Sequence, residues 1–229
     1  KLPTGCVKVE LDERGIPKFD ILANVAYDNL DITVDIDHLL SSPVKLIYFG
    51  TLIQRTPKGF DTVQQILKKR HPTTQTFCDL NFRLNCYSKE VVLASLKQTD
   101  ILKLNYEELM EVGQFIGSEK TTKAIITHLM KDYQINTITV TRGAEGSEWF
   151  NSNLHSQTDS PEIRAMVDTV GAGDAFAAAT ATGILKHWPV DQILNAASQF
   201  AAQICGVKGA LPADDQIYEK FRTTPHKKG

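Results

Sequence analysis

The amino-acid sequence predicts an α/β fold whose mainly parallel sheet is covered by helices on both faces. Three observations point there. Short apolar runs of strand length alternate with amphipathic runs of helix length over residues 45–141; an alternating apolar/polar segment precedes them at residues 6–22; and a tight glycine cluster, "DTVGAGDAF" at residues 168–176, opens an alanine-rich run. Strands separated by helices need crossover connections, and crossovers cover a parallel sheet on both sides.

The elements follow in order. "CVKVEL" alternates, "DERG" supplies a turn and "KFDIL" resumes the alternation, so residues 6–22 read as a β-hairpin. "KLIYFG" (45–50) is a buried strand, "KGFDTVQQILKKR" (58–70) a helix, "QTFCDLN" (75–81) a strand, and "SKEVVLASLKQ" (88–98) a helix opened by Ser88 and supported by Glu90. "ILKLN" (101–105) is the next strand, followed by helices over "YEELMEVGQFI" and "KTTKAIITHLMKDY". "TITVTRG" (137–143) is a strand, and "GSEWFN" suits a hairpin at the sheet edge. The last third holds the alanine-rich helix, a helix over residues 190–206, another near 213–221 and a tail, "TTPHKKG", expected to be mobile. With no repeat or long linker, the chain divides into the hairpin (1–25) and one α/β domain (26–229).

Composition narrows the function. The 229 residues carry 25 lysines and arginines against 27 acids, so the net charge of −2 makes no electrostatic case for nucleic acid or membrane as partner. No apolar run nears the roughly 20 residues of a spanning helix, and the first residues lack a signal-peptide layout, so the cytoplasm is the default location. Cys6, Cys78, Cys86 and Cys205 show no CxxC spacing and read as buried free thiols; the six histidines form no metal motif.

The glycine cluster carries the most chemistry. Gly171 and Gly173 permit positive φ and leave no Cβ between backbone and ligand, while the following helix aims free N–H groups outward. Such a helix start, Gly171-Ala172-Gly173-Asp174, suits a phosphate or a developing oxyanion. Asp174 in the first turn can accept the proton of a hydroxyl attacking phosphorus. On these residues alone, a plain turn with a helix-start charge is the better reading.

The longer string resembles the "DTxGAGD" signature of the ribokinase-like, phosphofructokinase B-type carbohydrate kinases. "LKLNYEEL" is similar to that family's Asn-x-x-Glu, which implies that Asn105 and Glu108 order Mg²⁺ through its waters. "TVTRGAEGS" resembles the family's glycine turn under ATP, implying nucleotide contacts for Thr141, Gly143 and Gly146. "CDLNFR" places Asn81 and Arg83 where the fructokinase-like branch reaches phosphate or sugar. "QICGVKGALP" resembles the segment closing over the nucleotide, bringing in Gly209, although Gly206 and Val207 depart from its usual Thr-Arg. Ser198 falls where a small residue faces adenine, and Asp168 matches a monovalent-cation site, K⁺ in many members. The opening hairpin and "NVAYD" resemble the lid, whose pairing implies a homodimer.

The resemblance implies a three-layer α/β/α fold with a small β lid. It also implies that the family's first strands and part of its sugar pocket are absent from this chain, which opens at Lys1 without methionine; the residues are then expected to be the retained part of a longer enzyme. The expected activity is transfer of the γ-phosphoryl group of ATP to a sugar hydroxyl. Fructose comes first, with nucleosides, ribose and 2-keto-3-deoxygluconate as alternatives. A non-catalytic nucleotide-binding regulator is the reading of another class.

Overall fold

A computed structural model describes residues 1–11, 17–163, 166–213 and 215–222. β1 (Val7–Leu11) and β2 (Pro17–Ile21) pair antiparallel as a separate two-stranded sheet, with Val7 opposite Ile21 and Val9 opposite Phe19. This is the hairpin that the alternation predicts; the "DERG" turn and the "TTPHKKG" tail lie outside the described residues. A helix that the sequence reading lacks, α1 (Val34–Leu40), follows, opened by Thr33, whose hydroxyl accepts the Ile36 N–H.

The main sheet has six strands whose spatial order is their chain order: β3 (Leu46–Gly50), β4 (Gln75–Asp79), β5 (Ile101–Asn105), β6 (Thr137–Thr141), β7 (Ser147–Asn151) and β8 (His155–Thr158). β3 to β6 run parallel, and β7 and β8 are antiparallel. "GSEWFN" does form a hairpin with β6, but it is not the edge. The Asn151 side chain accepts the N–H groups of Asn153 and Leu154, turning the chain back so that β8 pairs outside it.

One face of the sheet packs on α2 (Pro57–Lys69), α3 (Lys89–Leu96), α4 (Tyr106–Phe115) and α5 (Thr122–Asp132), through Leu67, Leu96, Leu109 and Leu129 against Cys78, Leu102, Leu104 and Ile138. The opposite face meets α6 (Ala172–Leu185), where Ala177 touches Phe77 and Ile101. α7 (Val190–Cys205) packs on α6 and Trp149, and α8 (Gln216–Arg222) sets Tyr218 edge-on to Phe200. Because side chains alternate along a strand, Phe77 and Ile101 facing α6 also turn Asp79 and Lys103 to that side. Cys78, Cys86 and Cys205 are buried free thiols as expected, whereas Cys6 is exposed, lying beside a two-stranded hairpin too small to cover it.

The end of β2 is tied to the main body by Arg55. Its guanidinium donates to both Asp28 oxygens (2.7 and 2.8 Å) and to the carbonyls of Ile21 (3.3 Å) and Leu22 (2.6 Å), and it lies over the Tyr27 ring. These hydrogen bonds hold the Asp28 carboxyl below its ordinary 3.8. A carboxylate with a lowered folded-state pKa contributes stability above the unfolded value and loses it as pH falls through the folded one. Asp28→Asn should therefore destabilise the fold by about 3 kcal/mol at neutral pH, with a melting-temperature gap to the unaltered protein that narrows below pH 3.8. A gap that does not change with pH would show that the pair's charge is not what stabilises the hairpin junction.

Candidate active site

The start of α6 differs from those of the five helices before it. Thr33, Thr56, Ser88, Asn105 and Thr121 each accept a first-turn N–H at the starts of α1 to α5. α6 begins at Gly171, with φ 85° and no side-chain cap. Among the described residues nothing accepts from the N–H groups of Gly173 or Asp174. A helix start whose donors are unspent carries a partial positive charge and suits an anion. Asp174 stands exposed in that same first turn.

The glycine loop is clasped from the side. A Cβ on Gly171 would come within 2.9 Å of the Ala210 Cα, so the "VKGALP" segment lies directly against it. Asp168 joins the two: its carboxylate accepts the N–H of Val170 at 3.0 Å and that of Gly209, a positive-φ residue, at 3.2 Å. The N–H groups of Val167 and Asp168 both donate to the Cys205 carbonyl at the end of α7.

Beside this loop lies a cavity of about 520 Å³, within the ordinary range of small-molecule sites. Thr141, Gly143, Gly146 and Ser147 form one side, Ala172, Gly173 and Phe176 the second, and Ser198, Ala201, Ala202 and Cys205 of α7 the third. Four of the five residues expected at the nucleotide, Thr141, Gly143, Gly146 and Ser198, thus share one cavity; Gly209 supports the loop from behind. Gly146 is required by the backbone, since φ is 95° and a Cβ would run into the Thr158 carbonyl. Ser198 Oγ lies 3.2 Å from Ser147 Oγ, which fixes a hydroxyl pair on the cavity wall.

Asn105 and Glu108 form a capping box: Asn105 Oδ1 accepts the Glu108 N–H (2.7 Å) and Glu108 Oε2 accepts the Asn105 N–H (2.9 Å). Glu108 Oε1 takes the Phe82 N–H (2.8 Å), binding the loop after β4 to the start of α4. Burial pushes the Glu108 carboxyl up, against these backbone donors. No cluster of three or more His, Cys, Asp and Glu able to cage a metal occurs among the described residues. With both oxygens of Glu108 engaged, the donor set fits a hydrated Mg²⁺ carried by phosphates, an ion that gives up its waters reluctantly.

Asn81, at φ 43°, and exposed Arg83 sit just beyond the end of β4 and outside the cavity lining, and the Arg83 side chain has no partner among the described residues. The sequence reading missed Asp79 and Lys103, a buried ion pair at 2.9 Å on adjacent strands. Its signal was visible as charged residues inside the apolar strands "TFCDLN" and "ILKLN".

The model of the pfkB family carbohydrate kinase matches residues 5–216. The chain belongs to that family. It is 29% identical to the uncharacterized sugar kinase PH1459 of Pyrococcus horikoshii over 192 residues, 81% of this chain and 57% of that protein. The crystal structure of PH1459 superposes with a TM-score of 0.75 at 26% identity, covering 97% of this chain and 72% of that one, and PH1459 has also been solved in complex with ATP. A fructokinase from Salmonella typhimurium is 25% identical over 221 residues, 92% of this chain and 70% of its own length. Ribokinase-type structures share the fold, among them the Thermotoga maritima ribokinase at TM-score 0.73 and 22% identity, over 96% of this chain and 70% of that one. The pfkB chain here spans a little over half the length of the first curated relatives it matches.

The clasp on Gly171 predicts a local effect. Gly171→Ala should strain both the positive φ and the Ala210 contact, costing about 1–3 kcal/mol and weakening nucleotide binding; calorimetry and ATP titration check it, and unchanged values for both would show that the loop relaxes freely.

Proposed function

We propose that the protein carrying this chain transfers the γ-phosphoryl group of ATP to a sugar hydroxyl. The observation that carries this reading is the uncapped start of α6, with Asp174 in its first turn and a nucleotide-sized cavity alongside. ATP lies in that cavity with its base end toward Ser198 and its phosphates toward the glycine loop. Asp174 takes the proton of the sugar hydroxyl as its oxygen bonds to the γ-phosphorus, the bond to the β-phosphate oxygen breaks, and ADP leaves. The N–H groups of Gly173 and Asp174, with Gly171 and Ala172 shaping the turn, meet the charge that develops on the transferred oxygens.

Asn105 and Glu108 would hold Mg²⁺, which when bound would neutralise phosphate charge. Asp168 spends its carboxylate on Val170 and Gly209, and a monovalent cation such as K⁺ would be held beside it by backbone carbonyls. Asn81 and Arg83 reach the sugar or its phosphate from the end of β4. Fructose is the first substrate, supported by the fructokinase relatives and the "DLNFR" segment. The hairpin serves as a lid excluding water, and its exposed Val7 and Val9 give a second copy an apolar strand face to pair with. A cytoplasmic setting goes with four free cysteines; no helix among the described residues is long and apolar enough to cross a membrane.

An ADP-release assay with ATP, Mg²⁺ and a panel of fructose, ribose, adenosine and 2-keto-3-deoxygluconate tests the reading. One sugar should turn over, and ATP binding without any turnover would favour a regulatory nucleotide binder. Asp174→Asn is expected to lower kcat by about 10²–10⁴-fold while ATP affinity stays near that of the unaltered protein; equal kcat would remove Asp174 as the base. Arg83→Ala should raise the sugar KM several-fold without a change in melting temperature, and unaltered kinetics would leave Arg83 as surface.

A further inference from the structure

Beneath the first turn of α6 the sheet carries polar groups to which the mechanism above gives no task. Asp79 and Lys103 are register partners on β4 and β5, with side chains only 1% and 6% exposed. Lys103 Nζ donates to the two Asp79 oxygens at 2.9 and 3.1 Å, and the Tyr48 hydroxyl donates to Oδ2 at 3.0 Å. An ammonium has three N–H donors, so one of Lys103's is unspent among the described residues. Nζ would stand 3.3 Å from a Cβ on Gly173, which places the ammonium against the bare face of that glycine. Next to Lys103 in the same row, Thr139 Oγ1 is buried and has no hydrogen-bond partner among the described residues.

The stack leaves donors unspent. A cation under a helix N-terminus is repelled by the helix's partial positive charge; Asp79 offsets the ammonium, and the Asp174 carboxylate in the same first turn offsets the helix end without taking its N–H groups. An anion above the N–H groups of Gly173 and Asp174 would take those donors while facing the ammonium below. Stability does not explain the pair, because apolar residues of similar volume usually serve a fold as well as a buried ion pair or better. We propose that Lys103, held by Asp79, is a positioning residue for phosphoryl transfer: its ammonium sets the height of the Gly173 backbone and adds fixed positive charge beneath the donors that receive the transferred phosphoryl group. The inference rests on the phosphoryl-transfer reading and extends it to groups outside the cavity lining. It also gives Gly173 a reason to lack a side chain, since a Cβ 3.3 Å from Nζ would crowd the ammonium.

The test compares binding of ADP with binding of ADP plus fluoroaluminate, a mimic of the phosphoryl group in flight, in the presence of Mg²⁺. In the unaltered protein fluoroaluminate should tighten ADP binding; no tightening would overturn the transfer reading, and this inference with it. Lys103→Met alone strands a buried carboxylate, so Asp79→Leu/Lys103→Met is the informative variant. It should keep its melting temperature and ADP affinity, lose at least about ten-fold of the fluoroaluminate tightening, and lose about 10²-fold in kcat. Full tightening with full kcat would overturn the inference while leaving the transfer reading intact. Should that variant not fold, Lys103→Arg keeps the charge but presses a larger head on Gly173; it should lose tightening at constant ADP affinity, and retained tightening would again overturn the proposal.

Discussion

A lysine cannot be buried in the middle of a parallel sheet without a counter-charge, because water that would solvate it is gone. Lys103 finds its counter-charge on the neighbouring strand, where the β4–β5 register sets Asp79 opposite it. Burial pushes the Asp79 carboxyl up, and Lys103 and the Tyr48 hydroxyl pull it back. The pair fixes the register of β4 against β5, since a slip of one residue would turn the moved strand's charge into the apolar face under α2 to α5. It also sets the floor on which α6 rests.

That floor explains the composition of α6. Ala177 packs on Phe77 and Ile101, so the helix lies close enough to the sheet for its first turn to meet Lys103. Gly183 keeps the same closeness toward α7, where a Cβ would stand 2.7 Å from Ile193 Cγ1. Larger residues would lift the helix start and open the cavity that α6 and α7 enclose with the turn after β6. The loop before α6 is held from the other side by Asp168 and the carbonyl of Cys205, so its N–H groups are aimed before any ligand arrives. Such preorganisation is what an anion-stabilising site needs, because the donors pay no reorganisation cost during reaction.

The hairpin is held differently. It belongs to a sheet of its own, and its tie to the body passes through the Arg55 and Asp28 pair and two backbone carbonyls. The segment before β1 is fastened as well, since the Ala26 N–H donates to the Pro3 carbonyl and Gly5 lies against the Tyr27 ring. Glu108 performs a comparable service within the body, joining the loop after β4 to the start of α4 through Phe82.

Much of this was legible in the sequence because it is local. Strand and helix periods, the Ser88 cap and the glycine loop depend on neighbours within a few residues, and the resemblance of "DTVGAGD" supplied the site's general chemistry. α1 was not legible, since its seven residues are too short for a clear period; nor was β8, whose four residues gain strand character only by pairing with β7. The sequence by itself determined the α/β alternation, the glycine-rich start of α6 and Asp174 within it. Only the tertiary structure decided that Asp79 faces Lys103, that Ser198 meets Ser147 and that Ala210 seals Gly171, because each joins residues far apart in the chain whose meeting depends on strand order, register and the seating of α6 and α7.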